Sequence, residues 1–106
     1  MSEKNVSKYR KHAIISYVTI LGTFIAIVLN KERNEYVNFH IRQSLGTHLI
    51  LILALICLIT SPILALIVYF LFVVLWVFGL IAVLQNSTKP IPLLGEKFQQ
   101  LFSKIV

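Results

Sequence analysis

"HLILILALICLITSPILALIVYFLFVVLWVFGL", residues 48–80, decides how this chain must fold. No Asp, Glu, Lys or Arg occurs anywhere from Gln43 to Thr88. As one helix that window would extend roughly 69 Å, about twice the hydrocarbon thickness of a bilayer. It must therefore fold back, and Thr60-Ser61-Pro62 is the turn. Pro62 lacks an amide hydrogen and drives Ser61 away from helical angles.

Composition supports a lipid setting. Of 106 residues, 58% are hydrophobic and only 13% charged. A soluble domain is about a quarter charged, so this chain has too little charge to cover itself in water. A second charge-free window, 13–29, "AIISYVTILGTFIAIVL", would reach roughly 26 Å as a helix, just enough to cross. The expected fold is an all-α membrane protein in a single domain. It has a basic tail at 1–12, span one at 13–30, an interfacial helix continuing into span two over 33–60, span three at 63–85, and an amphipathic tail helix at 93–106. The hairpin between spans two and three is tight. Span one as a cleaved signal peptide fits less well, since no A-x-A site follows it.

The single cysteine, Cys57, lies mid-span, so the chain holds no internal disulfide or redox motif. The ten Lys and Arg residues all lie in short segments beside spans, a placement that suits anionic lipid better than nucleic acid. In a three-span arrangement six of these cations share a side with the first loop and C-terminal tail, and four share a side with the turn at Ser61. That balance leaves the orientation undecided.

Upstream of span two, "NEYVNFHIRQSLG" (34–46) is the chain's most polar and aromatic stretch within the apolar part. At 100° per residue, Tyr36, His40, Gln43 and Thr47 form one stripe with Ser44 beside it. Glu35, Asn38 and Arg42 form another, in which Glu35 and Arg42 are placed to bridge directly or through Asn38. Two readings stand side by side. The stripe is an interfacial ramp, with Tyr36 at the headgroups and Arg42 snorkelling, or it faces protein or a wet crevice. His48 favours the second, because an imidazole at membrane depth needs a hydrogen-bond partner. Tyr69, Phe72 and Trp76 share a face of span three, and the polar tips of Tyr69 and Trp76 call for partners there. Gly22 and Ala26 have the small-xxx-small spacing that lets helices approach.

Catalysis is not expected. His40 and His48 are eight apart, not the i, i+4 spacing that holds one metal. The chain has no Asp, and none of its glutamates lies in a span. No enzyme activity, cofactor or metal is predicted. In the tail, Lys89-Pro90-Ile91-Pro92 breaks the helix. Leu94, Phe98, Leu101, Phe102 and Ile105 then form the apolar face of a helix lying in the interface or docked beneath the spans.

Phe39-His40-x-Arg42-Gln43 and the Pro-Ile-Pro stretch, over roughly residues 13–100, resemble small bacterial membrane proteins grouped with the twenty-kilodalton subunit of the chloroplast inner-envelope import translocon. Bacterial members often carry Asn where this chain has Gly46. The resemblance implies a multi-span protein of the bacterial inner membrane and marks His40, Arg42 and Gln43 as contact residues. The expectation is an accessory subunit of a larger inner-membrane complex, in protein translocation or membrane-protein assembly, with partner or interface contacts at Tyr36, His40, Arg42, Gln43, Thr47, Tyr69 and Trp76. The alternative is a homo-oligomeric channel or carrier for a small solute. Expected partners are membrane lipid, a larger membrane complex and other copies of the chain, with no nucleic acid.

Overall fold

The structure is a computed structural model that describes residues 3–31, 34–85, 88 and 94–106, with side chains from Tyr9 onward. The described residues form helices and turns, without strands. In chain order the helices are α1 (Glu3–Val18), α2 (Ile20–Leu29), α3 (Glu35–Thr60), α4 (Pro62–Leu84) and α5 (Gly95–Leu101).

The long window folds back at Ser61, whose backbone is extended (φ −153°, ψ 111°). Ser61 ends α3 and caps α4, its hydroxyl accepting from the Leu64 amide at 3.3 Å. Pro62 takes the first position of α4, where its missing N–H costs nothing. At the other end Asn34 caps α3, accepting from the amides of Tyr36 (3.0 Å) and Val37 (3.2 Å). The two helices would extend roughly 39 Å and 34 Å, and both are long and apolar enough to cross a membrane. Towards the tip their outer faces are bare: Ile59 is 85% exposed, Ile63 75% and Phe70 70%. An apolar surface that continuous is suited to lipid rather than water.

Three membrane spans are not formed, and the correction falls on residues 13–30. That stretch is broken at Thr19, which is extended (φ −152°, ψ 173°) and caps α2 by accepting from the Gly22 amide at 3.1 Å. Thr23 Oγ1 donates to the Ser16 carbonyl at 2.7 Å. Residues seven apart lie roughly 10 Å apart along a straight helix, so the chain has doubled back. Gly22 makes the reversal possible, because a side chain there would collide with the Ile15 carbonyl. At ten residues, α2 reaches roughly 15 Å, half of the hydrocarbon depth.

The molecule is therefore two nested helical hairpins. In the short one, α2 runs antiparallel to α3: Thr23 meets Ser44 and His48, Ala26 clusters with Val37 and Ile41, and Asn30 donates to Asn38. The α1 helix runs the other way, with Ala13 packed against Val83 and Tyr17 against His40. The turn at Thr19 thus reaches only part of the way towards Ser61. The start of α1, the end of α2, the start of α3 and the end of α4 share one end of the molecule, here termed the mouth. On another side of the α3–α4 hairpin, α5 seats Phe98 against Leu75 and over Gly46. The expected break at Lys89-Pro90-Ile91-Pro92 lies outside the described residues.

Candidate functional site

The most polar part of the interior lies where the short hairpin meets α3. Ser16, Tyr17, Thr23, His40, Gln43, Ser44, Thr47 and His48 are all buried, between 0% and 2% exposed. Buried polar groups at membrane depth are costly unless they are hydrogen-bonded, and these are bonded in a particular order.

Breaking the helix at Thr19 leaves the last carbonyls of α1 without intrahelical partners. Thr23 takes the Ser16 carbonyl, and Trp76 Nε1 donates to the Tyr17 carbonyl from α4. The single hydroxyl hydrogen of Thr23 is used on Ser16, its nearest acceptor. Ser44 donates to Ile41 of its own helix at 2.9 Å. The same Thr23 oxygen lies 3.2 Å from His48 Nδ1 and 3.3 Å from Ser44 Oγ, so it joins α2 to both residues of α3.

A second node surrounds His40. The Tyr17 hydroxyl lies 2.9 Å from His40 Nδ1. The imidazole stands edge-on to three rings, with centroids at 4.7 Å (Tyr36), 5.1 Å (Phe39) and 5.6 Å (Tyr17). Tyr36 in turn donates from its hydroxyl to the Val83 carbonyl at 3.0 Å. Residues of α1, α3 and α4 thus meet at this point.

The remaining sequence-derived candidates separate into different surroundings. Gln43 donates to the Gly95 carbonyl at 2.9 Å, and Arg42 Nη1 reaches Gln99 Oε1 at 3.4 Å. Both therefore hold α5. The expected Glu35–Arg42 bridge is replaced by this contact, because α5 packs alongside Arg42 while Glu35 is exposed. Thr47 returns its hydroxyl to Gln43 of the same helix at 2.8 Å. Tyr69 and Trp76 line a lateral groove of about 580 Å³ below the Thr19 turn, together with Thr19, His48 and Phe72.

Sequence reasoning missed Ser16, Tyr17 and Thr23, which sit in a stretch read as a plain span. A signal was available: Ser16, Tyr17, Thr19 and Thr23 interrupt an otherwise apolar run. Chemically, the arrangement is a latch between hairpins. Among the described residues no three of His, Cys, Asp and Glu gather as a metal site. His40 and His48 each have one ring nitrogen engaged by a hydroxyl of the short hairpin.

Residues 8–97 match the model of the MamF/MmsF family, described as the magnetosome magnetite crystal formation protein family. No curated protein matches the chain, and no solved structure does. The family match overturns the resemblance to the import translocon carried by Phe39-His40-x-Arg42-Gln43 and Pro-Ile-Pro. An accessory role in protein translocation or membrane-protein assembly falls with it, and so does the alternative of a solute channel or carrier. The overturned motif has a structural explanation: His40, Arg42 and Gln43 tie α3 to α1 and α5.

Proposed function

The chain belongs to the magnetosome magnetite crystal formation protein family, and from that premise we propose that it acts in forming magnetite crystals from within the magnetosome membrane. The match over residues 8–97 carries this reading, because it takes in both hairpins and the start of α5. The finer location, a multi-pass protein of the bacterial inner membrane or of the magnetosome membrane, belongs to the same proposal, with the magnetosome membrane preferred.

The role proposed is non-enzymatic. The buried polar groups are used in joining helices, with Thr23 bonded to His48, Tyr17 to His40 and Gln43 to Gly95. The bare faces of α3 and α4 from Leu49 to Phe70 offer a surface for lipid or for neighbouring membrane proteins, including other copies of the chain. Action on the crystal then passes through what the protein assembles with in that membrane.

The test is deletion and complementation in a magnetosome-forming host. Crystals would be counted and sized by electron microscopy, and the protein followed in purified magnetosome membranes. Loss of normal crystals on deletion, restored by the wild-type chain, supports the proposal. Unchanged crystals, or a protein absent from the magnetosome fraction, would overturn it.

A further inference from the structure

The nested hairpins change where the charges lie. In a three-span arrangement the cations divide between the two sides. In the observed fold, Lys11 precedes Ala13, which packs on Val83 at the mouth end of α4. Lys31 follows Asn30, which is bonded to Asn38 near the start of α3. Lys97 lies on α5, which is held to α3 through Gln43 and Arg42, about two turns in from the start of that helix. Lys104 lies two residues before Val106, which clusters with Val37 and Ile41. Lys11, Lys31, Lys97 and Lys104 are exposed, and Arg10 and Arg42 partly so.

In sequence, Lys4 and Lys8 fall in the first two turns of α1, Arg33 between α2 and α3, and Lys89 between α4 and α5. The opposite end, from Leu49 through the Ser61 turn to Phe70, carries no charged residue at all. Juxtamembrane Lys and Arg are attracted to anionic lipid headgroups, and an excess of them in short flanking segments marks the cytoplasmic side.

We infer that the mouth is a docking face for anionic phospholipid headgroups of the cytoplasmic leaflet, and that only the α3–α4 hairpin crosses the bilayer. The α1–α2 hairpin is re-entrant: it enters and leaves on the cytoplasmic side. Irregular backbone at membrane depth is tolerated when its polar groups are satisfied by protein, and the Thr19 break meets that condition through Gly22, Thr23 and Trp76. On the function proposed above, the face turned away from the cytoplasm would present little more than Thr60-Ser61-Pro62.

Two measurements test this on the full chain. The first uses Cys57→Ser as background, with single cysteines at Lys11→Cys, Lys31→Cys, Thr60→Cys and Ser103→Cys, and a membrane-impermeant maleimide. The inference expects Lys11→Cys, Lys31→Cys and Ser103→Cys to label in inverted vesicles, and Thr60→Cys to label in intact spheroplasts. Labelling of Lys11→Cys and Lys31→Cys from opposite sides would restore a crossing by 13–30 and overturn the re-entrant hairpin. Labelling of all three mouth positions from outside would overturn the orientation.

The second uses the wild-type chain in vesicles containing spin-labelled phosphatidylglycerol or phosphatidylcholine. A several-fold preference for immobilising phosphatidylglycerol, erased by high salt, is expected; equal immobilisation would sink the headgroup contact. Neither readout involves crystals, so failure of the functional proposal would leave these results standing, and the reverse.

Discussion

The ring of Tyr17 occupies the space that a side chain at Gly79 would fill, and from there its hydroxyl comes within 2.9 Å of His40 Nδ1. A glycine on α4 thus decides whether α1 can latch onto α3. Two substitutions separate the parts of this contact. Tyr17→Phe keeps the ring and removes one hydrogen bond, a loss of about 1 kcal/mol. Gly79→Leu displaces the ring and is expected to cost about 1–3 kcal/mol, as overpacking does. Denaturant unfolding in detergent should rank Gly79→Leu below Tyr17→Phe, and the opposite order would refute the account of Gly79.

Thr23 bonds the Ser16 carbonyl and faces His48. Thr23→Val preserves its shape but strands the Ser16 carbonyl and removes one partner of the His48 ring, at a cost of roughly 1–3 kcal/mol. Thr23→Ser retains the hydroxyl and should recover most of that stability. The comparison is made by thermal unfolding in the same detergent. Equal stability of the valine and serine variants would show that the hydroxyl does not hold the short hairpin.

Gly46 lets Phe98 lie directly on α3. Gly46→Leu should therefore detach α5, which the hydrogen bonds of Gln43, Arg42 and Gln99 alone would hold poorly. Limited trypsin digestion should then cut at Lys97 and Lys104 at least several-fold faster than in the wild type. Unchanged cleavage would mean that α5 is secured elsewhere.

Trp76 is the chain's single tryptophan and lines the lateral groove beneath Thr19. Its fluorescence should be quenched by brominated lipid with bromines in the acyl chains, and little by aqueous iodide. Strong iodide quenching would place this part of α4 in water and contradict the membrane depth assigned to the groove.

Much of the long hairpin was legible in the sequence because its causes are local. A charge-free run too long for one crossing must turn, and Pro62 restricts the backbone wherever it stands. The Asn34 cap is local in the same sense, since its side chain reaches amides two and three residues ahead. The polar stripe on α3 could be seen, but its partners could not. Gln43 bonds a residue 52 positions away, and Tyr36 one 47 positions away. Helical spacing gives no information about such distant pairs.

The first apolar window marks the boundary between the two kinds of information. By itself the sequence determined that residues 13–29 would seek an apolar setting, since hydropathy is a sum over residues. Whether they cross it was decided only by tertiary structure. A straight helix keeps its carbonyls bonded internally, whereas a broken one survives only if other elements bond the carbonyls it frees. Here Thr23 supplies that bond from α2 and Trp76 supplies it from α4, while Gly22 and Gly79 give the helices room to approach. Without such partners the freed carbonyls would stand unsatisfied in lipid, a cost that an unbroken helix avoids.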